Sequence, residues 1–190
     1  MQTEKEITIS KNKELKEVGL DLGISKFVSL SNGKQKLPKN SFKTNQNKLT
    51  KEQRKLSKKI KFSSNWNKQK RKIIQLHAKI ANTRKDYIHK VSNEICKSHA
   101  RIFIEDLKIV NMSKSVKGTR ENAKAKSGLN KSILDQGWYE LTRQLEYKST
   151  WNGGEVIRVN PRYTSQTCSN CGYNDSDNRL SQTKFECKAC

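Results

Sequence analysis

A mixed α/β fold with a basic helical insertion and a small metal ribbon is what this 190-residue sequence predicts. Three observations carry that expectation. Strand-patterned and helix-patterned segments alternate in an order that builds one sheet, a lysine-rich stretch shows helical periodicity, and two CxxC pairs lie at the end of the sequence. Hydrophobic residues make up only 32% of the chain, so its core is thin.

The elements follow in order. "VGLDLG" (Val18 to Gly23) and "KFVSLSNGK" (Lys26 to Lys34) read as two short strands, with Asn32-Gly33 a type I′ hairpin turn into a third. Leu49, Leu56 and Ile60 then recur at helical spacing. After a polar break at Ser63, Ser64 and Asn65 the pattern resumes as Ile73, Leu76, Ile80, Tyr87, Val91 and Ile95, so two helices stand back to back. Cys96, beside Ile95, reads as a small buried hydrophobe. "RIFIEDL" (Arg101 to Leu107) is a buried strand by its apolar run. Lys114 to Lys131 is basic, poor in apolar residues and carries Gly118 and Gly128, which reads as a loop. Leu134, Trp138, Leu141, Leu145 and Lys148 mark one helix face, ended by Gly153-Gly154, and "EVIRVNP" (Glu155 to Pro161) is a fifth strand. The order β-β-β-α-β-α-β is that of an RNase H-like domain short of its last helix. One sheet face is therefore expected to be uncovered.

Charge narrows the partners. Forty Lys plus Arg against 18 Asp plus Glu leave +22, a surplus that repels itself unless a polyanion shares the surface. From Lys43 to Lys72 there are twelve basic residues and one acid, Glu52. A solvated face is the ordinary reading of any single lysine. Together, Arg54, Lys58, Lys68 and Arg71 present a stripe suited to a phosphate backbone, where each neutralised phosphate releases counterions. The sequence has no 18-residue apolar run, signal-type segment or lipidation motif, so nucleic acid is favoured over a membrane and the chain reads as cytoplasmic.

Cys168, Cys171, Cys187 and Cys190 read CxxC, fifteen residues, CxxC, a spacing suited to a four-cysteine zinc site. Each pair aims two thiolates at one ion. Four thiolates leave no open position for water, so the zinc is structural. Two disulfides of a secreted domain are the competing reading.

The carboxylates raise a different question. Asp21 sits in the middle of an apolar strand, where a lone buried acid is costly unless paired, hydrogen-bonded or coordinating a metal, and Glu105 poses the same difficulty at the end of the fourth strand. In RNase H-like order the first and fourth strands are neighbours. The two acids then meet over one sheet face and hold Mg²⁺ for attack of water on a phosphodiester. A salt bridge to a nearby lysine competes with that reading. Asp106 points to the opposite face and reads as a strand-end residue.

As a whole the chain resembles the OrfB/TnpB family of insertion-sequence transposases, relatives of compact CRISPR effector nucleases. The residues that carry the likeness are "VGLDLGISKFVSLSNG", "IFIEDLKIVNM", "GWYELTRQLEYKSTWNGGEVIRVNPRYTSQTCSNCG" and "FECKAC", which together span almost all of the sequence from Val18 to Cys190. The resemblance implies a RuvC-type nuclease domain over residues 18–161, with its basic helical insertion at about 44–98, and a zinc ribbon over 162–190; residues 1–17 then read as a remnant of an upstream domain or a linker. It further implies action on DNA under a guide RNA with Mg²⁺ or Mn²⁺, Asp21 and Glu105 matching two catalytic carboxylates and the four cysteines the ribbon ligands. The family's third carboxylate, expected after the final cysteine pair, is absent from the sequence, and Asp175 and Asp177 within the ribbon are poor substitutes. Truncation at both ends, with loss of activity in this fragment, is the resulting expectation. Two further readings stand beside the guided nuclease: a zinc-stabilised protein that binds nucleic acid without cutting, and a strand-transfer transposase that joins DNA ends.

Overall fold

A computed structural model describes residues 16–115, 118–181 and 184–190, so all but two residues of the 1–17 segment fall outside it. Five strands form one sheet: β1 (Glu17–Leu22), β2 (Val28–Leu30), β3 (Gln35–Lys36), β4 (Arg101–Glu105) and β5 (Glu155–Val159), in the order β3-β2-β1-β4-β5. β1, β2 and β3 pair antiparallel, as hairpins allow, whereas β1–β4 and β4–β5 are parallel. The first and fourth strands are neighbours, as the sequence predicts.

Alternation divides the sheet into two faces. Val18, Leu20, Leu22, Val28, Leu30, Ile102 and Ile104 point to one side and are buried. They pack against Ile88, Val91, Ile95 and Cys96 of helix α2 (Ser64–Ser98), and Trp138, Leu141 and Leu145 of helix α5 (Trp138–Trp151). Cys96 is fully buried, as expected. The other face, which no helix of the described residues covers, carries Gly19, Asp21, Ser29, Phe103 and Glu105. At its lower end Arg101 bonds both registered neighbours, Glu17 at 3.0 Å and Glu155 at 2.8 Å, which pins the three strands in line.

The helical insertion has its own small core. Helix α1 (Ser41–Ser57) packs on the first half of α2 through Leu49, Ile73, Leu76 and Ile80. At 1.5 Å per residue the 35 residues of α2 run about 52 Å, so one helix serves both cores. Its amphipathic stripe is the one the sequence shows. Ile60 departs from that expectation: it lies in the turn between the helices and is 83% exposed. Glu52, the only acid of the basic stretch, faces inward, where Gln69 donates to it at 2.7 Å and Lys55 pairs with it at 2.9 Å. Those bonds, Gln69 first, hold its carboxyl below the usual range.

Three further expectations are corrected. The β2–β3 connection is not a type I′ turn, which needs two left-handed residues; only Gly33 is left-handed (φ 83°), and Leu30 and Lys34 close a three-residue loop. The Lys114–Lys131 stretch is not a loop throughout, because helix α4 (Arg120–Gln136) occupies most of it after a short helix α3 (Ile109–Met112). Thr119 caps α4 by accepting from the Asn122 amide, Glu121 suits its first turn, and Lys126 and Asn130 tie it to carbonyls of Met112 and Ser113. Gly128 is simply tolerated. The pattern Leu134 to Lys148 is two helices, since Gly137 at φ 71° ends α4 and begins α5, leaving Leu134 55% exposed.

Helix α1 starts without a capping side chain of its own. The buried Asp135 of α4 supplies one from 93 residues away, accepting from the amides of Phe42 at 2.9 Å and Lys43 at 3.2 Å and from the Ser41 hydroxyl. Arg84 lies 3.7 Å from the same carboxylate. Asp135→Ala is therefore expected to cost about 1–2 kcal/mol, the value of a lost cap. Hydrogen exchange should accelerate first at the Phe42 and Lys43 amides while the sheet stays protected.

Candidate functional site

The site begins with a register. Leu20 faces Ile104 across the parallel β1–β4 pair, so the next residues along, Asp21 and Glu105, lie side by side at the C-terminal ends of the two strands. Alternation turns both away from the helices, and both line a cleft of about 510 Å³ on the open face. Gly19, Ser29 and Phe103 supply more of its lining; Thr164, Ser165 and Arg179 approach from beyond β5. Asp21 is exposed rather than buried in an apolar run, which corrects the sequence argument: the acids escape a desolvation cost by facing away from the core. Glu105 is half-buried and accepts a hydrogen bond from the Thr164 hydroxyl at 3.0 Å. Among the described residues no lysine or arginine pairs with either acid.

Carboxylate oxygens are hard donors, so this pair fits a divalent cation such as Mg²⁺ or Mn²⁺ and not a soft one. Asp106 lies on the other side of the sheet, where Arg158 binds it at 2.9 Å and Glu146 of α5 at 2.6 Å. Asp175 is occupied within its own module, accepting from the Asp177 amide and the Tyr173 hydroxyl. Sequence reading missed Thr164, Ser165 and Arg179. Hydroxyls and a basic residue next to a cysteine knuckle carry no periodic signal of their own.

Beyond β5 the chain folds back on itself around the cysteines. The four sulfurs of Cys168, Cys171, Cys187 and Cys190 lie within 4.8 Å of one another, with Cys168–Cys190 at 3.7 Å and Cys171–Cys187 at 3.6 Å. A tetrahedron with Zn–S bonds of about 2.3 Å has edges of about 3.8 Å, so the cluster fits zinc. All four are free thiols, which sets aside the disulfide alternative. Backbone amides of Cys171 and Asn170 donate to the Cys168 sulfur and lower its pKa to about 6, favouring the thiolate a metal needs. Asn178 is the fully buried hub: its amide bonds the carbonyls of Gln166 and Tyr173, and its oxygen accepts from the Lys188 amide. The two cysteine pairs are thereby tied together through polar bonds in a module with almost no apolar core.

Arg54, Lys58, Lys68 and Arg71 are all exposed, the first pair on α1 and its end, the second on α2. Arg54 and Lys58 line a shallow groove with Lys51 and Lys55. Among the described residues no helix is long and apolar enough to cross a membrane.

The sequence profile of the OrfB_IS605 family, described as "Probable transposase", matches residues 1–116, and that of the "Cas12f1-like, TNB domain" matches residues 138–190. A protein of Escherichia coli (strain K12) named "Putative RNA-guided DNA endonuclease InsQ" is 55% identical over 99% of this chain and 48% of its own length. A "Putative RNA-guided DNA endonuclease" of Streptomyces pristinaespiralis is 34% identical over 82% of this chain and 36% of its own length. The chain thus spans about half of the first relative and about a third of the second. Among solved structures, a CRISPR-Cas12f ternary complex contains a similar fold, with a TM-score of 0.50 and 22% identity over 86% of this chain and 33% of that one.

Metal analysis should find about one zinc per chain. Cys171→Ser should lose it and speed proteolysis beyond Pro161 while leaving the sheet's thermal transition in place, because ribbon folding energy comes from the metal. Full zinc retention in that variant would refute the four-cysteine site.

Proposed function

This chain belongs to the OrfB_IS605 transposase family, and from that premise we propose that it forms the nuclease region of an RNA-guided, metal-dependent DNA endonuclease of an insertion sequence, acting in the cytoplasm on DNA. Residues 18–161 form the RuvC-type domain, about 44–98 its nucleic-acid-binding insertion, and 162–190 a structural zinc ribbon. The observation that carries this reading is the placement of Asp21 and Glu105 side by side on the open sheet face, facing a cleft and free of any cationic partner among the described residues.

Each residue has a distinct task. Asp21 and Glu105 hold Mg²⁺ or Mn²⁺ at the ends of two rigid parallel strands. The bound cation supplies charge neutralisation at a scissile phosphate and lowers the pKa of water. Thr164 fixes the Glu105 carboxylate by donating to one of its oxygens. Arg179 adds positive charge to the cleft lining, where a DNA phosphate is drawn in. The zinc orders the ribbon that carries Thr164 and Arg179, and four thiolates leave it no role with water. Outside the cleft, Arg54, Lys58, Lys68 and Arg71 meet the backbone of guide RNA or target DNA. The same carboxylates serve strand transfer if a DNA hydroxyl replaces water, so the products distinguish cutting from joining.

In the protein that carries this chain, Asp21→Ala or Glu105→Gln should reduce guided DNA cleavage by orders of magnitude, as removal of one member of a catalytic set does, while guide binding persists. Wild-type cleavage rates in either variant would overturn the assignment. Neutralising Arg54, Lys58, Lys68 and Arg71 together should flatten the dependence of log affinity on log salt by roughly 3 to 4 units, with zinc content unchanged. An unchanged slope would place the phosphate contacts elsewhere.

A further inference from the structure

The turn between α1 and α2 displays apolar side chains where the sequence is otherwise almost purely basic. Ile60 is 83% exposed and Phe62 80% exposed, at the far end of the hairpin from the sheet. The turn is built, not loose. Ser63 caps α2 by accepting from the Trp66 amide at 3.2 Å, and Asn67 donates to the Phe62 carbonyl at 3.2 Å. The Phe62 and Trp66 rings sit 5.4 Å apart at 52°, and the Lys70 ammonium lies 5.1 Å from the Trp66 ring centre.

Phe62 itself is left-handed, at φ 67°. A bulky residue in that region is strained, and glycine or asparagine would make the same turn at lower cost. The ring therefore contributes something other than the turn. It does not fill a core, since four-fifths of the residue faces solvent. Charge identifies the surroundings: between Glu52 and Asp86 there is no acid, whereas twelve lysines and arginines occupy that span. An exposed Phe62 set against a half-buried Trp66, with lysines beside both, matches a flat, electron-rich ring flanked by phosphates, because stacking takes any base while lysines track the backbone.

We propose that the α1–α2 turn is a stacking site for an unpaired nucleobase, with Phe62 and Trp66 providing the ring faces and Lys61 and Lys70 beside them meeting the flanking phosphates. This rests on the nucleic-acid reading above and adds to it a preference for single-stranded over fully paired segments at one end of the basic hairpin. A duplex keeps its base faces stacked inside, so only an unpaired or frayed nucleotide satisfies these rings.

The test uses the full chain and single-stranded oligonucleotides carrying 2-aminopurine, compared with the same sequence as a duplex. Phe62→Gly relieves the backbone while removing the ring, Trp66→Ala removes the second ring, and the double variant removes both. Single-strand affinity should fall on the order of tenfold or more in the double variant, the 2-aminopurine signal change should disappear, and duplex affinity and the salt slope should stay within about twofold of the parent. Phe62→Gly should raise the thermal midpoint of the protein, which shows that the fold survives. Equal losses on single strand and duplex, or none on either, would overturn the stacking site. If the four-residue charge variant still flattens the salt slope in that case, the backbone-binding reading stands and only the stacking site falls. If neither set of variants alters oligonucleotide binding, both fall. Ring-dependent binding to phosphatidylglycerol vesicles with no effect on oligonucleotides would assign the turn to a lipid surface and reject the proposal.

Discussion

The register of β1 against β4 is the constraint on which the rest of the molecule depends. Side chains alternate with period two, so pairing Leu20 with Ile104 sends every core residue of both strands toward α2 and α5 and both acids the other way. A slip of one residue on either strand would bury a carboxylate among Val91, Ile95 and Leu141 and expose a row of isoleucines and leucines. The penalty is several kcal/mol for the charge alone, which makes the register close to all-or-none. Arg101 locks it at the opposite end by bonding Glu17 on one side and Glu155 on the other. Stability and chemistry thus follow from one alignment, with apolar residues on one face and the cleft on the other.

Helix α2 transmits that alignment outward. Its second half is the lid of the sheet, where Ile88, Ile95 and Cys96 are essentially inaccessible to solvent, and its first half is the partner of α1. Burying an aliphatic side chain of this size stabilises by about 1.5–3 kcal/mol, so the buried residues in its two halves anchor α2 both to the sheet and to α1. The lysines stay on the outside, where water solvates their charge, and the only acid of the 43–72 stretch is drawn inward to Gln69. Between α2 and α5, Lys148 bonds the His89 carbonyl and the Ser92 hydroxyl, and burial lowers its pKa. Glu140 is held down to about 2, chiefly by Arg143, so its carboxylate stays charged across the neutral range. The hairpin is thus anchored where it leaves the sheet by both apolar packing and polar bonds between α2 and α5.

The ribbon is connected to the acids by short polar links. Thr167 donates from its amide and its hydroxyl to the Tyr163 carbonyl, Tyr163 is left-handed at φ 63°, and the next residue, Thr164, reaches Glu105. Metal binding at the cysteines and orientation of a cleft carboxylate therefore share one stretch of backbone. That arrangement makes a module without an apolar core an ordered wall of the cleft.

What the sequence determines by itself is whatever is local or periodic. The two CxxC pairs announce their ligand because their spacing is the geometry of a knuckle, and α2 is legible from Ile73 to Ile95 because its stripe repeats for about six turns. Asp21 and Glu105 stand out as polar residues in apolar strands, although the sequence alone suggests that they are buried. Only the tertiary structure decides which face each strand shows its neighbour, that the stretch around Gly128 is helical, that α1 is capped by an acid 93 residues further on, and that Thr164 meets Glu105 across 59 residues. The reason is physical. A periodic pattern reports what a segment needs to bury, whereas the partner that satisfies it is chosen by packing among segments far apart in the chain, and hydrogen bonds over such distances leave no repeat in the sequence.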